Sequence, residues 1–131
     1  MRWLTDTNIL SELVRLRPNS GVLEWAEGVE RISVSAITIE EIVFGLAWKP
    51  NSRFQAWLQQ TIDESCDVIP VTQLIAERAG TLRGHLRRRG ITRTQADTLI
   101  AATAQVMDLT LVTRNVRDFE QCGIKLFNPF A

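Results

Sequence analysis

The residue best placed to do chemistry is Asp6, which stands where the short apolar run Trp3–Thr5 stops and a helix-like pattern begins. That change of pattern is typical of a buried strand ending in a doubly wound parallel sheet. In such sheets ligands bind in the crevice outside the carboxyl ends of the strands. We therefore predict that the Asp6 carboxylate lies at a ligand-binding edge.

Other oxygen-bearing side chains occupy comparable positions further along the chain. Glu41 and Asp97 each fall in the first turn of a predicted helix, and Asn115 and Asp118 follow the apolar strand predicted over Leu109–Thr113. Helices that follow parallel strands begin on the carboxyl side of the sheet, so these groups could meet the first acid in one cleft. Asp97 is the least constrained, because its helix follows another helix rather than a strand.

Each acid also has an ordinary structural explanation. Asp6 could cap a helix, and Glu41 could complete a T-x-x-E capping box that starts a helix at Thr38. Asp97 and Asp118 could be first-turn acids favoured by the helix dipole. A cap or dipole contact contributes about 1 kcal/mol, whereas two carboxylates about 5 Å apart repel by roughly 3 kcal/mol at an effective dielectric of 20.

Acids gathered in one cleft therefore need a cation among them or raised pKa values. Oxygen ligands alone select hard ions such as Mg²⁺ or Mn²⁺. Other chemistries have less support: the single histidine, His85, lies in a predicted basic helix, and no nucleotide-binding glycine loop or C-x-x-C pair occurs. We interpret Cys66 and Cys122 as buried structural thiols in a reducing compartment.

Length and composition fit one globular domain over residues 1–131. Of these 131 residues 45% are hydrophobic and 23% charged, which is enough for a core of its own. No apolar run reaches the roughly 18 residues of a membrane span, and the start lacks the layout of a signal peptide. We therefore expect a cytoplasmic protein.

Net charge is zero, but the cationic residues are unevenly distributed. No acid interrupts the arginine-rich stretch between Glu77 and Asp97. The guanidinium group is a planar fork of donors that matches phosphate, so this stretch could form an anion-binding edge. A solvated helix end stabilised by the helix dipole is an equally good interpretation. The arginines concerned are Arg87, Arg88, Arg89 and Arg93.

Strands alternate with helices along the chain, which predicts a parallel sheet with right-handed crossovers and helices on both faces. Pro70 places its strand at a sheet edge. The predicted third helix is apolar almost all round, because Phe44 and Trp48 lie off its buried stripe, so a partner chain could supply a second cover. Gly80 and Gly84 in the predicted fifth helix suggest that another backbone comes close.

Several sequence motifs follow one another in a distinctive order over nearly the whole chain. They are DTNILSE (6–12), SAITIEEIVFG (35–45), ADTLIAATA (96–104), VTRNVRDF (112–119) and NPF (128–130). Together these motifs resemble a PIN domain, and most closely the VapC and FitB type, the ribonuclease toxins of bacterial toxin–antitoxin pairs.

The resemblance implies a three-layer α/β/α sandwich with a central, mainly parallel, twisted sheet. It matches Asp6, Glu41 and Asp97 to the family's metal-binding acids, whereas Glu40 stands one place too early for that role.

The fourth acidic position of the family falls on Asn115 or Asp118 in this sequence. Family members differ at this point, and we prefer Asp118 because it is charged, while keeping Asn115 as a second candidate metal ligand. Thr113 is expected to orient a water or ligand from the strand end, and Asn8 is expected to support the same site.

The reaction implied by the resemblance is Mg²⁺- or Mn²⁺-dependent hydrolysis of RNA phosphodiester bonds by Asp6, Glu41, Asp97 and Asp118. The four arginines would guide the RNA backbone. The family also implies a homodimer and a cognate antitoxin laid across the cleft. An alternative is a catalytically weak PIN-like module that binds RNA or protein, favoured if Asn115 marks a lost ligand. A small phosphatase on a similar sheet is a third interpretation.

Overall fold

The computed structural model describes residues 2–131 and contains one sheet of five parallel strands. The strands are β1 Trp3–Thr5, β2 Ile32–Ser35, β3 Cys66–Ile69, β4 Thr110–Val112 and β5 Leu126–Phe127. Their order in the sheet is β3-β2-β1-β4-β5, and every pairing is parallel. Because β1 is central, the residue that follows it lies in the middle of the carboxyl edge.

Six α-helices and one 3₁₀ helix surround the sheet. They are α1 Thr7–Leu13, α2 Ser20–Glu27, α3 Ala36–Trp48, α4 Ser52–Ser65, α5 Gln73–Arg88, α6 Gln95–Val106 and the 3₁₀ helix Val116–Phe119. None of the helices within residues 2–131 has both the length and the apolar character that a membrane crossing requires.

The alternation of side chains along the short strands divides the core between the two faces of the sheet. Leu4 and Leu111 belong to one buried cluster, which α5 and α6 cover. Val112 packs on the opposite face with Ile9 of α1 and Val22 of α2. A third buried cluster joins Leu10, Val34, Ile42 of α3 and Leu58 of α4. The predicted three-layer α/β/α sandwich is thereby confirmed.

The start of α3 differs from the prediction. The helix begins at Ala36, and the hydroxyl of Ser35 caps it by accepting a hydrogen bond from the Ile37 N–H at 3.0 Å. The Thr38 hydroxyl is buried without a hydrogen-bond partner, so it caps nothing. The predicted capping box of Thr38 and Glu41 is therefore wrong, and Glu41 lies beyond the first turn.

Two predictions concern surfaces that a partner could cover: the apolar side of α3 and the glycines of α5. On α3, Phe44 is 63% and Trp48 is 80% exposed, so this chain leaves one side of the helix uncovered, as its composition suggests. Gly80 and Gly84 face open space: apart from the backbone of their own helix, no atom of residues 2–131 lies within 4 Å of where a Cβ would stand at either position. The close backbone predicted beside these glycines is not supplied by the described part of this chain.

Both cysteines are free and buried, as expected. Burial raises the pKa of the Cys66 thiol to about 11 and also raises that of Cys122, so both thiols are protonated at neutral pH.

We predict that Leu111→Ala lowers the free energy of unfolding by about 3 kcal/mol, because it leaves a cavity beneath the central strands where Leu111 is fully buried. Urea denaturation would measure the change. Leu16→Ala is the matched control, since Leu16 is 85% exposed and should change stability by less than about 0.5 kcal/mol. Equal losses in the two variants would contradict this assignment of the core.

Candidate functional site

The carboxyl edge of the sheet opens into a cavity of about 260 Å³ that gathers acidic and amide side chains from four parts of the chain. The end of β1, the side of α3, the first turn of α6 and the segment after β4 all contribute. The lining residues are Asp6, Thr7, Asn8, Glu41, Asp97, Asn115, Asp118 and Phe119. The structure therefore brings together all four predicted acids and both candidates for the fourth position.

Asp6 is held by three hydrogen bonds and is only 7% exposed. Its Oδ1 atom accepts from the Thr7 N–H at 2.8 Å, which caps α1. Its Oδ2 atom accepts from the Thr113 hydroxyl at 2.8 Å and from Asn8 Nδ2 at 3.1 Å. A carboxylate offers about four lone-pair sites. Asp6 therefore has a fixed orientation and roughly one site left for a ligand.

Thr113 and Asn8 connect Asp6 to the end of the neighbouring strand β4. The Thr113 hydroxyl, while donating to Asp6, accepts a hydrogen bond from the Asn115 N–H at 3.0 Å. The Asn8 side-chain oxygen accepts from the Arg114 N–H at 3.0 Å. Both predicted supporting residues thus contact Asp6 and position the loop that follows β4.

Glu41 is half-buried and points from α3 toward the same cavity. Burial raises the pKa of its carboxyl group, and the charges of Asp6, Asp97 and Glu40 raise it further. A hydrogen bond from the Thr7 hydroxyl to Oε1, at 3.2 Å, opposes this shift. The direction of the shift means that the Glu41 carboxylate lies in an unfavourable environment.

Asp97 occupies the first turn of α6, where its N–H donates to the capping hydroxyl of Thr94 at 3.1 Å. Burial raises the pKa of its carboxyl group, and the charges of Asp118 and Asp6 add to the rise. Thr94 and the guanidinium of Arg93 oppose it. The acids of the cavity therefore affect one another's ionisation, as expected of a shared site.

The donors that line the cavity are suited to a hard cation, because they are carboxylate, amide and hydroxyl oxygens. Within residues 2–131, however, no three Asp, Glu, His or Cys side chains stand close enough to form a ready-made ion-binding group. A Mg²⁺ ion commonly uses one or two carboxylates and keeps several waters. The spread of these acids fits that mode of binding.

Arg93 holds the segment that carries Asp118. Its Nη2 atom donates to the carbonyl oxygens of Arg117 and Glu120, both at 3.3 Å. Arg93 therefore has a structural contact in addition to the RNA contact predicted for it, and it places a positive charge beside Asp97.

The other predicted RNA-binding arginines lie outside the acidic cavity. Arg87, Arg88 and Arg89 are exposed at the end of α5, and two of them line a separate hollow of about 510 Å³ with His85. A short connection joins this end of α5 to the start of α6, which carries Asp97. The basic end of α5 is therefore adjacent in the chain to the acidic cavity.

Thr7 is the polar site residue that the sequence analysis did not assign; Phe119 is an apolar lining residue that it also did not assign. Thr7 lines the cavity and donates to Glu41 across the gap between α1 and α3. Its place directly after Asp6 was visible in the sequence, but its partner on α3 depends on the tertiary fold.

The parallel α/β/α fold, with acids gathered at the carboxyl edge of its sheet, defines the class of this protein. The chain belongs to the PIN domain family, whose model matches residues 4–125. Toxin FitB of Neisseria gonorrhoeae is 30% identical over 97% of both chains. VapC ribonuclease Y4jK of Sinorhizobium fredii is 33% identical over 95% of both chains. The crystal structure of VapBC2 from Rickettsia felis, bound to a promoter DNA fragment, matches with a TM-score of 0.85 and 25% identity over 98% of both chains.

We predict that Glu41→Gln raises the melting temperature at pH 7 in the absence of divalent ions. Because the folded pKa of Glu41 lies above its unfolded value, the ionised group destabilises the folded state at neutral pH. The advantage of the variant should shrink as pH falls through the raised pKa and vanish below about 4.3, the ordinary value for glutamate.

Glu40→Gln is the matched control for this measurement, since Glu40 is the exposed neighbouring acid on the same helix. Thermal unfolding from pH 4 to pH 8 would compare the two variants. An equal gain from Glu40→Gln, or a gain that does not depend on pH, would contradict the assigned environment of Glu41.

Proposed function

We propose that this protein is the toxin of a toxin–antitoxin pair and acts as an endoribonuclease that depends on Mg²⁺ or Mn²⁺. The observation that carries the proposal is the meeting of Asp6, Glu41, Asp97 and Asp118 in one cavity with no basic side chain in its lining. Membership of the PIN family and the similarity to FitB and to a VapC ribonuclease support the reaction class.

Asp6, Glu41 and Asp97 would hold the ion, together with Asp118 or Asn115, some of them through water. The bound ion would lower the pKa of a water ligand and offset charge on the phosphate. Thr113 and Asn8 orient Asp6. One of these carboxylates would accept the proton of the attacking water.

The RNA backbone would follow the basic surface of Arg87, Arg88, Arg89 and Arg93. Phosphate contacts of this kind are independent of sequence and supply a large part of RNA affinity. Arg87 to Arg89 have exposed side chains at the end of the helix that precedes Asp97. Because the proposed substrate is RNA, we propose that the protein acts in the cytoplasm.

A cognate antitoxin would cover the exposed side of α3, including Phe44 and Trp48. A groove of about 400 Å³ lies beside it, lined by apolar residues such as Val43 and Leu58 of α3 and α4. The VapBC2 structure supports a partner of this kind. The open glycines of α5, Gly80 and Gly84, allow close approach by a second copy of the chain in a homodimer.

A catalytically weak PIN-like module that binds RNA or protein remains the alternative. Asn115 favours it, because an amide stands where some family members carry an aspartate. Incubation of RNA with the protein and Mn²⁺, with and without a chelator, separates the two functions. Cleavage that the chelator stops supports the nuclease, and RNA binding without cleavage supports the module.

We predict that Asp6→Asn and Asp97→Asn each reduce RNA cleavage more than about a hundredfold, since even outer-shell changes at metal sites cost 10–100-fold. Asparagine still caps helices well, so Asp6→Asn should keep the fold. Cleavage of a labelled RNA and the unfolding midpoint of each variant would be measured. Asp63→Asn, on the exposed surface of α4, is the control and should retain full activity. Unchanged turnover in either site variant would remove that residue from the mechanism.

We predict that replacing Arg87, Arg88 and Arg89 by alanine weakens RNA binding and flattens its salt dependence. The slope of log K against log salt should fall by about 2, because each lost phosphate contact with a single strand contributes about 0.7. Titrations with labelled RNA in an Asp97→Asn background would measure the slope without cleavage. A control with Arg2, Arg17 and Arg53 replaced has the same net charge and should keep the original slope. If both triple variants showed the same slope, the arginines at the end of α5 would be a solvated helix end without a role in RNA binding.

A further inference from the structure

Arg114 carries a positive charge between Thr113, which donates to Asp6, and Asn115, which lines the acidic cavity. Its guanidinium carbon lies 4.6 Å from the centre of the Phe130 ring, within the range of a cation–π contact. Within residues 2–131 the Arg114 side chain forms no ion pair and no hydrogen bond, and it is exposed. Its N–H groups are therefore held in place by stacking but remain available for a ligand.

Phe130 is held under this guanidinium by contacts on two sides. The ring packs against the buried cluster of Ile9, Val22 and Val112. The residue after it, Ala131, donates its N–H to Asn19 Oδ1 at 3.0 Å.

The chain around Phe130 passes so close to α2 that only glycine fits beneath it. A Cβ on Gly21 would lie 2.2 Å from the carbonyl oxygen of Pro129. The position of the Phe130 ring is therefore determined by the fold.

The backbone of Arg114 belongs to the network that orients Asp6. Its N–H donates to Asn8 Oδ1 at 3.0 Å, and Asn8 in turn donates to Asp6. Its neighbours in the chain are Thr113, which donates to Asp6, and Asn115, which lines the cavity. The side chain of Arg114 thus starts from the edge of the site itself, unlike the arginines of α5.

We propose that Arg114 binds a phosphate group of the RNA strand that enters the acidic cavity, and that Phe130 positions its guanidinium for this contact. The inference rests on the proposed function. Carboxyl groups in the cavity repel a polyanion, and a cation that starts beside the cavity would offset part of that repulsion. A guanidinium offers phosphate a planar pair of donors, and stacking on a ring face leaves those donors at its edge.

Neighbouring arginines are less suited to this role. Arg93 already donates to the carbonyl oxygens of Arg117 and Glu120. Arg117, three residues after Arg114 on the same exposed segment, has no aromatic ring beneath it among the described contacts. Arg117 is therefore the matched control for the effect of charge alone.

The test uses kinetics of cleavage of a short single-stranded oligoribonucleotide with Mn²⁺. Arg114→Ala should raise KM about tenfold, which is the loss of one charge-assisted contact, with kcat changed less than about twofold. Arg114→Lys should recover only part of this loss, because an ammonium lacks the planar fork. Arg117→Ala should change KM less than about twofold.

Phe130 variants separate positioning from simple packing. Phe130→Leu keeps an apolar side chain against the buried cluster but removes the ring face, and it should raise KM about threefold. Phe130→Tyr keeps the ring face and should match the unaltered protein. Unfolding midpoints of all variants would accompany the kinetics, and a tyrosine variant that binds as poorly as the leucine variant would overturn the positioning role.

The experiment distinguishes failure of the proposed function from failure of this inference alone. If the unaltered protein does not cleave RNA with Mn²⁺, the proposed function fails and this inference fails with it. If it cleaves RNA but Arg114→Ala leaves KM unchanged, or Arg117→Ala raises KM as much, the inference alone is overturned.

Discussion

Repulsion among carboxyl groups gathered at one edge of a parallel sheet is the constraint on which this structure depends. Burial and neighbouring negative charge both disfavour ionisation of Glu41 and Asp97, and Asp6 contributes to the pKa of each. A fold optimised only for stability would separate these groups. The three apolar clusters on the two faces of the sheet provide the stability that allows the edge to remain electrostatically unfavourable.

Neutral donors, rather than cations, hold the acids in place. Asp6 receives hydrogen bonds from two side chains and one backbone N–H, and Glu41 receives one from Thr7. A cation bonded directly to these carboxylates would lower their pKa values and compete with a metal ion for their oxygens. Hydroxyl and amide donors orient the carboxylates without neutralising them. The guanidinium groups of Arg93 and Arg114 contact carbonyl oxygens and an aromatic ring instead.

The sequence was informative where the position of a residue follows from the end of a strand or the start of a helix. The position of Asp6 followed from the end of β1, because a parallel sheet brings the carboxyl ends of its strands to one edge. Asp97 was less constrained, since α6 follows another helix rather than a strand, and its place in the cavity depends on the tertiary fold. Glu41 lies in the cavity as expected, but its predicted local role was wrong, since Ser35 rather than Thr38 caps α3. Capping rules describe neighbours in the chain and could not show which of two hydroxyls meets the free N–H groups.

Contacts between distant parts of the chain could not be predicted in this way. The hydrogen bond from Thr7 to Glu41 and the stacking of Arg114 on Phe130 depend on how helices and the final residues pack. The open surroundings of Gly80 and Gly84 were also not predictable. A glycine within a helix indicates that another backbone comes close, but the sequence does not show whether that backbone belongs to the same chain or to a second one.

The buried cysteines have a practical consequence for spectroscopy. Thiol-reactive labels attack the thiolate, and the protonated, inaccessible side chains of Cys66 and Cys122 give such reagents almost nothing to modify at neutral pH. A single cysteine introduced on the surface would therefore accept a fluorophore or spin label at one defined position. The folded protein is a ready background for distance measurements between its helices, with no need to remove the natural thiols first.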